Sequence, residues 1–372
     1  MWTQKSSLAV YTESAFSFAL NNKGYMGTGN QQGTGLTKSL WCYDVALNIW
    51  TQVADFGGTA RKNAVAATAG LYGYAGLGYD IFGNTKNDWW QYNPLSNVWI
   101  QKTNFPGNAR EGAACCSVVA DIYVIGGKFS GTYYNDVYVY QSSADNWFTS
   151  VPAPFQPRAF SFAFELNNNV FLGGGKNSAG VKKDFWKLNI ISGLWIQQNN
   201  LPDERYNAVS GIINGFGIAG SGFDSTGIAC DDFYFFNAQS NSWSPLPALP
   251  GPGRGRSSAF CMANTFFITS GIDSNSVLLN DLWKLDWLQS LSLPAPHNLT
   301  FNFHVSDDLL SIAIPPEFSG SELGVYDING NQLFQRKIGS ENQIDVSLIN
   351  DGLYLINIRN RNFSVARKIV KL

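Results

Sequence analysis

Histidine is almost missing from this sequence: there are two in 372 residues, His297 and His304, both in the last quarter. A copper or zinc centre held by imidazoles is therefore excluded from everything before them, because such centres draw on several histidines at once. Cysteine is sparse too. Cys42, Cys115, Cys116, Cys230 and Cys261 are odd in number and include no CxxC pair, which argues against a disulfide framework and against a zinc site. They read as small apolar core residues. Charged residues make up 14% of the chain and the net charge is −2, so no field of one sign recruits nucleic acid or an anionic membrane. The longest uncharged apolar stretch, residues 64–79, is rich in alanine and glycine and too short to cross a bilayer, so no transmembrane segment is expected. No signal-peptide pattern precedes Trp2. Gly-x-Ser-x-Gly elbows, phosphate-cradling loops and Cys/His nucleophile pairs are absent as well, and no cofactor is expected.

What the chain has in excess is glycine, 37 residues, and aromatic side chains, 15%. They recur at a fixed period. Trp2, Trp50, Trp99, Trp147, Trp195 and Trp243 stand 48 or 49 residues apart. A second column, Asp88, Asp136, Asp184, Asp232 and Asp281, keeps the same spacing, with Ser39 in the first unit. Two residues after each stands an aromatic, from Trp41 to Trp283. A third column is arginine: Arg61, Arg110, Arg158, Arg205 and Arg256, with Ser14 in the first unit because "SAFSFAL" aligns with "RAFSFAF". Each unit reads as four strands: a small-residue strand, an apolar strand ending in glycine, the Asp-x-aromatic strand and the Trp strand. Small residues suit strands crowded round an axis, and large aromatics suit wedges that widen outward. The sixth unit lacks its own Trp strand, and "WTQK" at residues 2–5 supplies one; the N-terminus is expected to close the last blade and cover its edge.

These columns together resemble the kelch repeat, whose unit is about 50 residues. The resemblance covers residues 1 to about 288 and implies an all-β fold, a six-bladed kelch β-propeller. Gly-x-Gly stands for Gly-Gly at Gly27/Gly29, Gly76/Gly78 and Gly220/Gly222, and Ser270-Gly271 in the last unit.

Two prolines in "SLPAPHNLT" mark a change of texture. The expected division is a propeller over 1–290, a linker over 291–298 and a second domain over 299–372. In the second domain Asn329-Gly330 signals a hairpin between 324–328 and 332–338, Asp351-Gly352 a second turn and residues 360–362 a third. That is the pattern of a small antiparallel β-sandwich. "GVYDINGNQL", "IDVSLINDGLYLINI" and the terminal "ARKIVKL" resemble the C-terminal sorting domain of the type IX secretion system of Bacteroidota. The resemblance implies the type IX machinery as a partner, delivery outside the cell or to the outer-membrane surface, and a natural N-terminus upstream of Met1.

For the propeller, three functions are open. The first is recognition of a glycan or protein partner, with anionic ligands favoured by the arginine column and aromatics for stacking at Tyr79, Phe129, Tyr134 and Phe223 on the variable loops. Each arginine can make a planar two-point contact with a carboxylate, belonging either to the protein or to a ligand. The second is a metal-independent sugar-acid mutarotase or epimerase, since kelch propellers include sialic acid mutarotases. Proton transfer would need a carboxylate beside a cation, and Glu111 and Glu204 are the candidates. The third is a purely structural surface protein. Asp80, Asp224 and Asp273 are expected to shape turns.

Overall fold

A computed structural model describes residues 1–262 and 264–286, then 302–306, 309–313, 322–327, 332–337, 343–345, 347, 349–359 and 364–371. The expected linker over 291–298, His297 and the turns at Asn329-Gly330 and 360–362 lie outside the described residues. The chain divides into two compact units, Met1–Leu291 and Ser292–Leu372.

The first unit contains six four-stranded antiparallel sheets. The strands alternate as the sequence pattern demands. In Phe16–Leu20, Val65–Ala69, Ala114–Val118, Phe162–Leu166 and Ser258–Met262, every second residue is buried. The intervening side chains, such as Ser17, Ala66, Cys115, Ala163 and Ala259, line a central channel and are small. The second strands, for instance Asp121–Ile125 and Asn169–Gly173, are buried along almost their whole length. A neighbouring sheet covers each face, which explains their unbroken apolar runs. The inner strands touch in a closed cycle, the last, Ser258–Met262, meeting the first, Phe16–Leu20. The fold is a β-propeller.

Size is traded across each blade interface. Phe18 of one inner strand lies where a Cβ on Gly73 of the next blade would come within 2.5 Å, and Phe164 stands in the same relation to Gly217 at 2.2 Å. Where the inner residue is small, the facing residue is large: Ala67 shares its core with Ile122, and Cys116 with Val170. Interiors tolerate neither voids nor overlap, so one position fixes the volume allowed at the other.

The sixth sheet is completed by the start of the chain. Trp2–Lys5 pairs antiparallel with Leu282–Asp286, Trp2 opposite Leu285. The tryptophan column then forms its own circuit. Trp50 donates its indole N–H to Ser6 O at 3.0 Å, Trp99 to Ala54 O at 3.3 Å, Trp147 to Thr103 O at 2.9 Å, Trp195 to Val151 O at 3.3 Å and Trp243 to Asn199 O at 3.2 Å. Each reaches the chain just beyond the outer strand of the preceding blade.

The second unit has a three-stranded sheet, Asn302–Ser306, Leu309–Ala313 and Gln343–Asp345, and a four-stranded sheet in the order Gln332–Lys337, Glu322–Tyr326, Gly352–Arg359, Ser364–Lys371. All pairings are antiparallel. Leu323, Val325, Tyr354 and Ile356 are buried, and the Tyr354 hydroxyl donates to Asn350 O at 2.6 Å. His304 falls on the strand Asn302–Ser306.

Candidate ligand site at the channel mouth

The arginine column is structural. Arg61, Arg110, Arg158 and Arg205 are between 0% and 3% exposed. Each grips the aspartate of its own blade with both terminal nitrogens: Arg61 with Asp88 at 2.5 and 2.8 Å, Arg110 with Asp136 at 2.5 and 2.9 Å, Arg158 with Asp184 at 2.5 and 2.8 Å, Arg205 with Asp232 at 3.0 and 2.7 Å. The same guanidiniums donate to the carbonyl sixteen residues on and lie over aromatic rings, as Arg158 does over Phe155 at 4.5 Å. None of the four lies on the lining of the mouth. The expectation that this column forms a free ligand-binding rim is corrected on that ground.

The fifth member is Arg254, not Arg256. Arg254 is fully buried and binds Asp281 at 2.5 and 2.9 Å. The first unit is corrected with it. Glycine amides of successive blades donate to the column carbonyls, Gly29 to Arg61 at 2.8 Å and onward to Gly222 to Arg254 at 2.7 Å, and the circuit closes with Gly271 to Thr12 at 2.9 Å. Thr12 therefore holds the arginine place, and Ser14 lies two residues further on. Both shifts are by two residues, which preserves strand alternation, so a period-2 text match cannot detect them. Burial would raise the Asp184, Asp232 and Asp281 carboxyls, but the hydrogen bonds and charge of their arginines outweigh it and hold all three below the usual range.

Ser14 and Arg256 belong to a different ring. Ser14, Asn63, Gly112, Phe160, Asn207 and Arg256 all have left-handed backbone, with φ between 52° and 62°. Each amide donates to the carbonyl of the previous member: Asn63 to Ser14 at 3.0 Å, Gly112 to Asn63 at 3.2 Å, Phe160 to Gly112 at 2.7 Å, Asn207 to Phe160 at 3.0 Å, Arg256 to Asn207 at 3.2 Å, and Ser14 to Arg256 at 2.8 Å. Glycine and asparagine accept this conformation readily. An aromatic or a long cationic residue does so only under strain, and strain of this kind collects at functional sites.

Above the ring lies a cavity of about 390 Å³, lined by Ser14, Lys62, Asn63, Tyr79, Glu111, Lys128, Phe160, Lys176, Asn207 and Arg256. A smaller space of about 120 Å³ sits at the ring itself, and one of about 270 Å³ is lined by the small residues of the channel. Four cationic side chains converge on the mouth. Arg256 is paired with Glu13 at 2.8 Å and Lys128 with Glu111 at 3.4 Å. Glu111 also accepts from Asn63 Nδ2 at 2.7 Å. Among the described residues Lys62 and Lys176 have no carboxylate partner within salt-bridge distance. The Lys176 ammonium rests 3.8 Å from the centre of the Tyr206 ring, and those of Lys128 and Lys176 stand 5.5 and 5.8 Å from that of Phe160. Burial, then the charges of Lys128 and Arg256, push Lys176 below the ordinary lysine range.

The structure sorts the expected site residues. Arg256, Tyr79 and Glu111 are brought together on the cavity lining. Phe223 is buried, packed on Tyr206 at 5.4 Å, behind Arg256. Tyr134 lies over the buried Arg110 guanidinium at 4.1 Å, which makes it part of the core lock. Phe129 is 46% exposed on a hairpin, off the lining. Glu204 is also off the lining, one residue before buried Arg205. Asp80, Asp224 and Asp273 accept amide protons two and four residues on, as turn-shaping residues do. Lys62, Lys128, Lys176 and Phe160 were not legible as site residues. Their signal was positional: Lys128 and Lys176 directly follow the glycine column, and Lys62 and Phe160 follow the arginine column by one and two residues.

Residues 100–271 match the family model described as the KLHDC2/KLHL20/DRC7 Kelch-repeats domain, and residues 293–372 match that of the secretion system C-terminal sorting domain. Kelch domain-containing protein 10 of Rattus norvegicus is 27% identical over 204 residues, 50% of this chain and 50% of that one. Its Xenopus tropicalis counterpart is 28% identical over 195 residues, 47% of each. The chain thus spans about half the length of the curated relatives it matches. A solved structure of YjhT superposes with a TM-score of 0.65 at 17% identity, covering 77% of this chain and 98% of that one, and this likeness concerns the fold alone. The protein is a Kelch-repeat β-propeller that carries a secretion-system C-terminal sorting domain. That domain marks it for export through the type IX machinery. Among the described residues no helix is long and apolar enough to cross a membrane.

Proposed function

We propose that the exported propeller is a binding protein whose channel mouth takes an anionic glycan. One observation carries the reading: Lys62, Lys128, Lys176 and Arg256 converge on one cavity, and two of these cations have no carboxylate partner among the described residues. Like charges gathered from different blades repel unless an anion lies between them. Tyr79 and Phe160 add apolar surface on which a sugar ring can rest. Glycan-array binding by the full chain tests the proposal. Acidic glycans should be retained over their neutral parents, and Lys62→Gln with Lys176→Gln should remove the difference while the melting temperature holds. Equal retention of neutral glycans, or selective capture of acidic peptides, would refute it.

A catalytic reading rests on Glu111, the carboxylate on the cavity lining, flanked by Lys128 and Asn63. An anomer-exchange assay on acidic sugars separates the two readings. Exchange accelerated by the protein and lost in Glu111→Gln supports an isomerase, and binding without exchange supports the binding protein.

A further inference from the structure

The chemistry of the four cations narrows the ligand. A planar carboxylate is met best by a guanidinium fork, which offers two parallel donors. This fold uses that fork repeatedly, but always against its own aspartates: Arg61, Arg110, Arg158, Arg205 and Arg254 are buried on Asp partners. At the mouth the single guanidinium on the lining, Arg256, is drawn toward Glu13. What remains are ammonium groups, compact point charges with three rotatable donors and no preferred plane. They come from separate strand ends: Lys128 lies opposite Glu111 and Lys176 opposite Ala159 in the short bridges of neighbouring blades, while Lys62 pairs with Tyr79 in a third.

Resting on the anionic-glycan reading above, we infer that the group held at the mouth is a tetrahedral oxyanion ester on a sugar, a sulfate or phosphate monoester, gripped by Lys128 and Lys176. Three terminal oxygens spread in space match ammonium donors arriving from several directions, whereas a flat carboxylate leaves most of them unused. Lys176 is held without a carboxylate partner among the described residues, and Lys128 meets Glu111 at 3.4 Å, a carboxylate that also accepts from Asn63. Lys176 lies against the faces of Tyr206 and Phe160, and Lys128 against Phe160. Aromatic faces fix an ammonium but leave its net charge in place. Phe160 is kept there at a backbone φ of 60°, which a bulky residue rarely adopts. Burial first, and then the charges of Lys128 and Arg256, lower Lys176, and an oxyanion between the lysines would relieve the repulsive part.

The test is calorimetric titration of the full chain with N-acetylglucosamine 6-sulfate, N-acetylglucosamine 6-phosphate, glucuronate and N-acetylglucosamine. The sulfated or phosphorylated sugar should bind at least about tenfold tighter than glucuronate. Lys128→Gln and Lys176→Gln should each weaken it about tenfold, with melting temperatures unchanged. Glucuronate bound as tightly as the esters would overturn the oxyanion assignment and leave the anionic reading standing. Failure of all three acids to bind better than the neutral sugar would overturn both. If a variant melts early, raising the salt concentration on the native chain replaces it: ester affinity must fall steeply, and a flat salt response refutes the lysine grip. The two sources of the ester separate by pH. A phosphate monoester gains its second charge near about pH 6, so its affinity should climb between pH 5 and 7, while a sulfate ester should hold constant.

Discussion

Trp2 donates its indole N–H to the carbonyl of Pro247 at 2.8 Å, joining the second residue of the chain to one 245 positions later. The bond is the sixth member of the tryptophan circuit, and it exists only because the N-terminal strand has been added to the blade that the C-terminal repeat began. Trp2 is buried, with its ring 5.1 Å from Phe233 and 6.4 Å from Phe266. Trp2→Ala should cost about 3–5 kcal/mol, the range for emptying a large aromatic site in a core. Removal of residues 1–7 should cost more, because it also exposes the edge of Leu282–Asp286. A melting curve unchanged by the deletion would show that the ring does not depend on this strand.

Each Arg–Asp pair is a lock inside one blade, so its loss should be felt as stability and not as binding. Arg158→Ala leaves Asp184 partly buried without its partner and should cost about 3–5 kcal/mol. Glycan affinity per folded molecule should be unaltered. A variant that melts normally but no longer binds would reverse this assignment.

The same locks predict acid sensitivity. Asp184, Asp232 and Asp281 titrate lower when folded than when unfolded, so the folded state holds fewer protons in that window. Their contribution is therefore complete above the ordinary aspartate value of about 3.9 and is lost as pH falls through their lowered folded values. Urea midpoints should be flat between pH 5 and pH 7 and drop below about pH 4. Asp184→Asn should lower the plateau and flatten the acid drop. If that variant loses as much stability below pH 4 as the parent, the titrating groups lie elsewhere.

Blade one has lost its lock. Thr12 and Ser39 stand where other blades have arginine and aspartate. Trp41 also lacks the acceptor that Asp88 gives Trp90 at 2.9 Å and Asp184 gives Trp186 at 2.7 Å. Among the described residues its indole N–H and the Thr28 hydroxyl are buried with no hydrogen-bond partner. Thr12→Arg alone should destabilise by placing an unpaired charge in a buried position, whereas Ser39→Asp alone, at a half-buried position within reach of the Trp41 indole, should change stability little. The double variant should recover the loss and exceed the parent by about 1–3 kcal/mol, as charge-assisted hydrogen bonds form. Additive effects in this double-mutant cycle would show that the pair does not assemble in blade one.

The sorting domain predicts transport that does not depend on the propeller. Residues 293–372 fused behind a reporter, with an export leader, should carry it to the surface of a host that has the type IX machinery. Cutting the fusion at residue 351 removes Gly352–Arg359 and Ser364–Lys371, two of the four strands of one sheet, and should leave the reporter in the periplasm. Surface delivery of the truncated fusion would deny the domain its sorting role.

The sequence alone determined the repeat, its strands and its columns, because these follow from local rules: alternation, glycine at left-handed turns, and aromatic bulk at a fixed interval. It also pointed to Trp2 as the strand missing from the sixth unit. Three matters were decided only when the blades closed into a ring. Arg254 and Arg256 lie two residues apart on one stretch, equal by alternation, and only the distance to Asp281 tells the lock from the mouth. Phe18 and Gly73, or Phe164 and Gly217, are compatible in size only as pairs, and that pairing is set by the packing of neighbouring blades. Lys62, Lys128 and Lys176 are ordinary surface lysines in the linear text. They become one site because rotational symmetry brings Lys128 and Lys176, 48 positions apart, to the same height on one axis, and Lys62 joins them through its pairing with Tyr79, which holds the Lys128 place in its own blade.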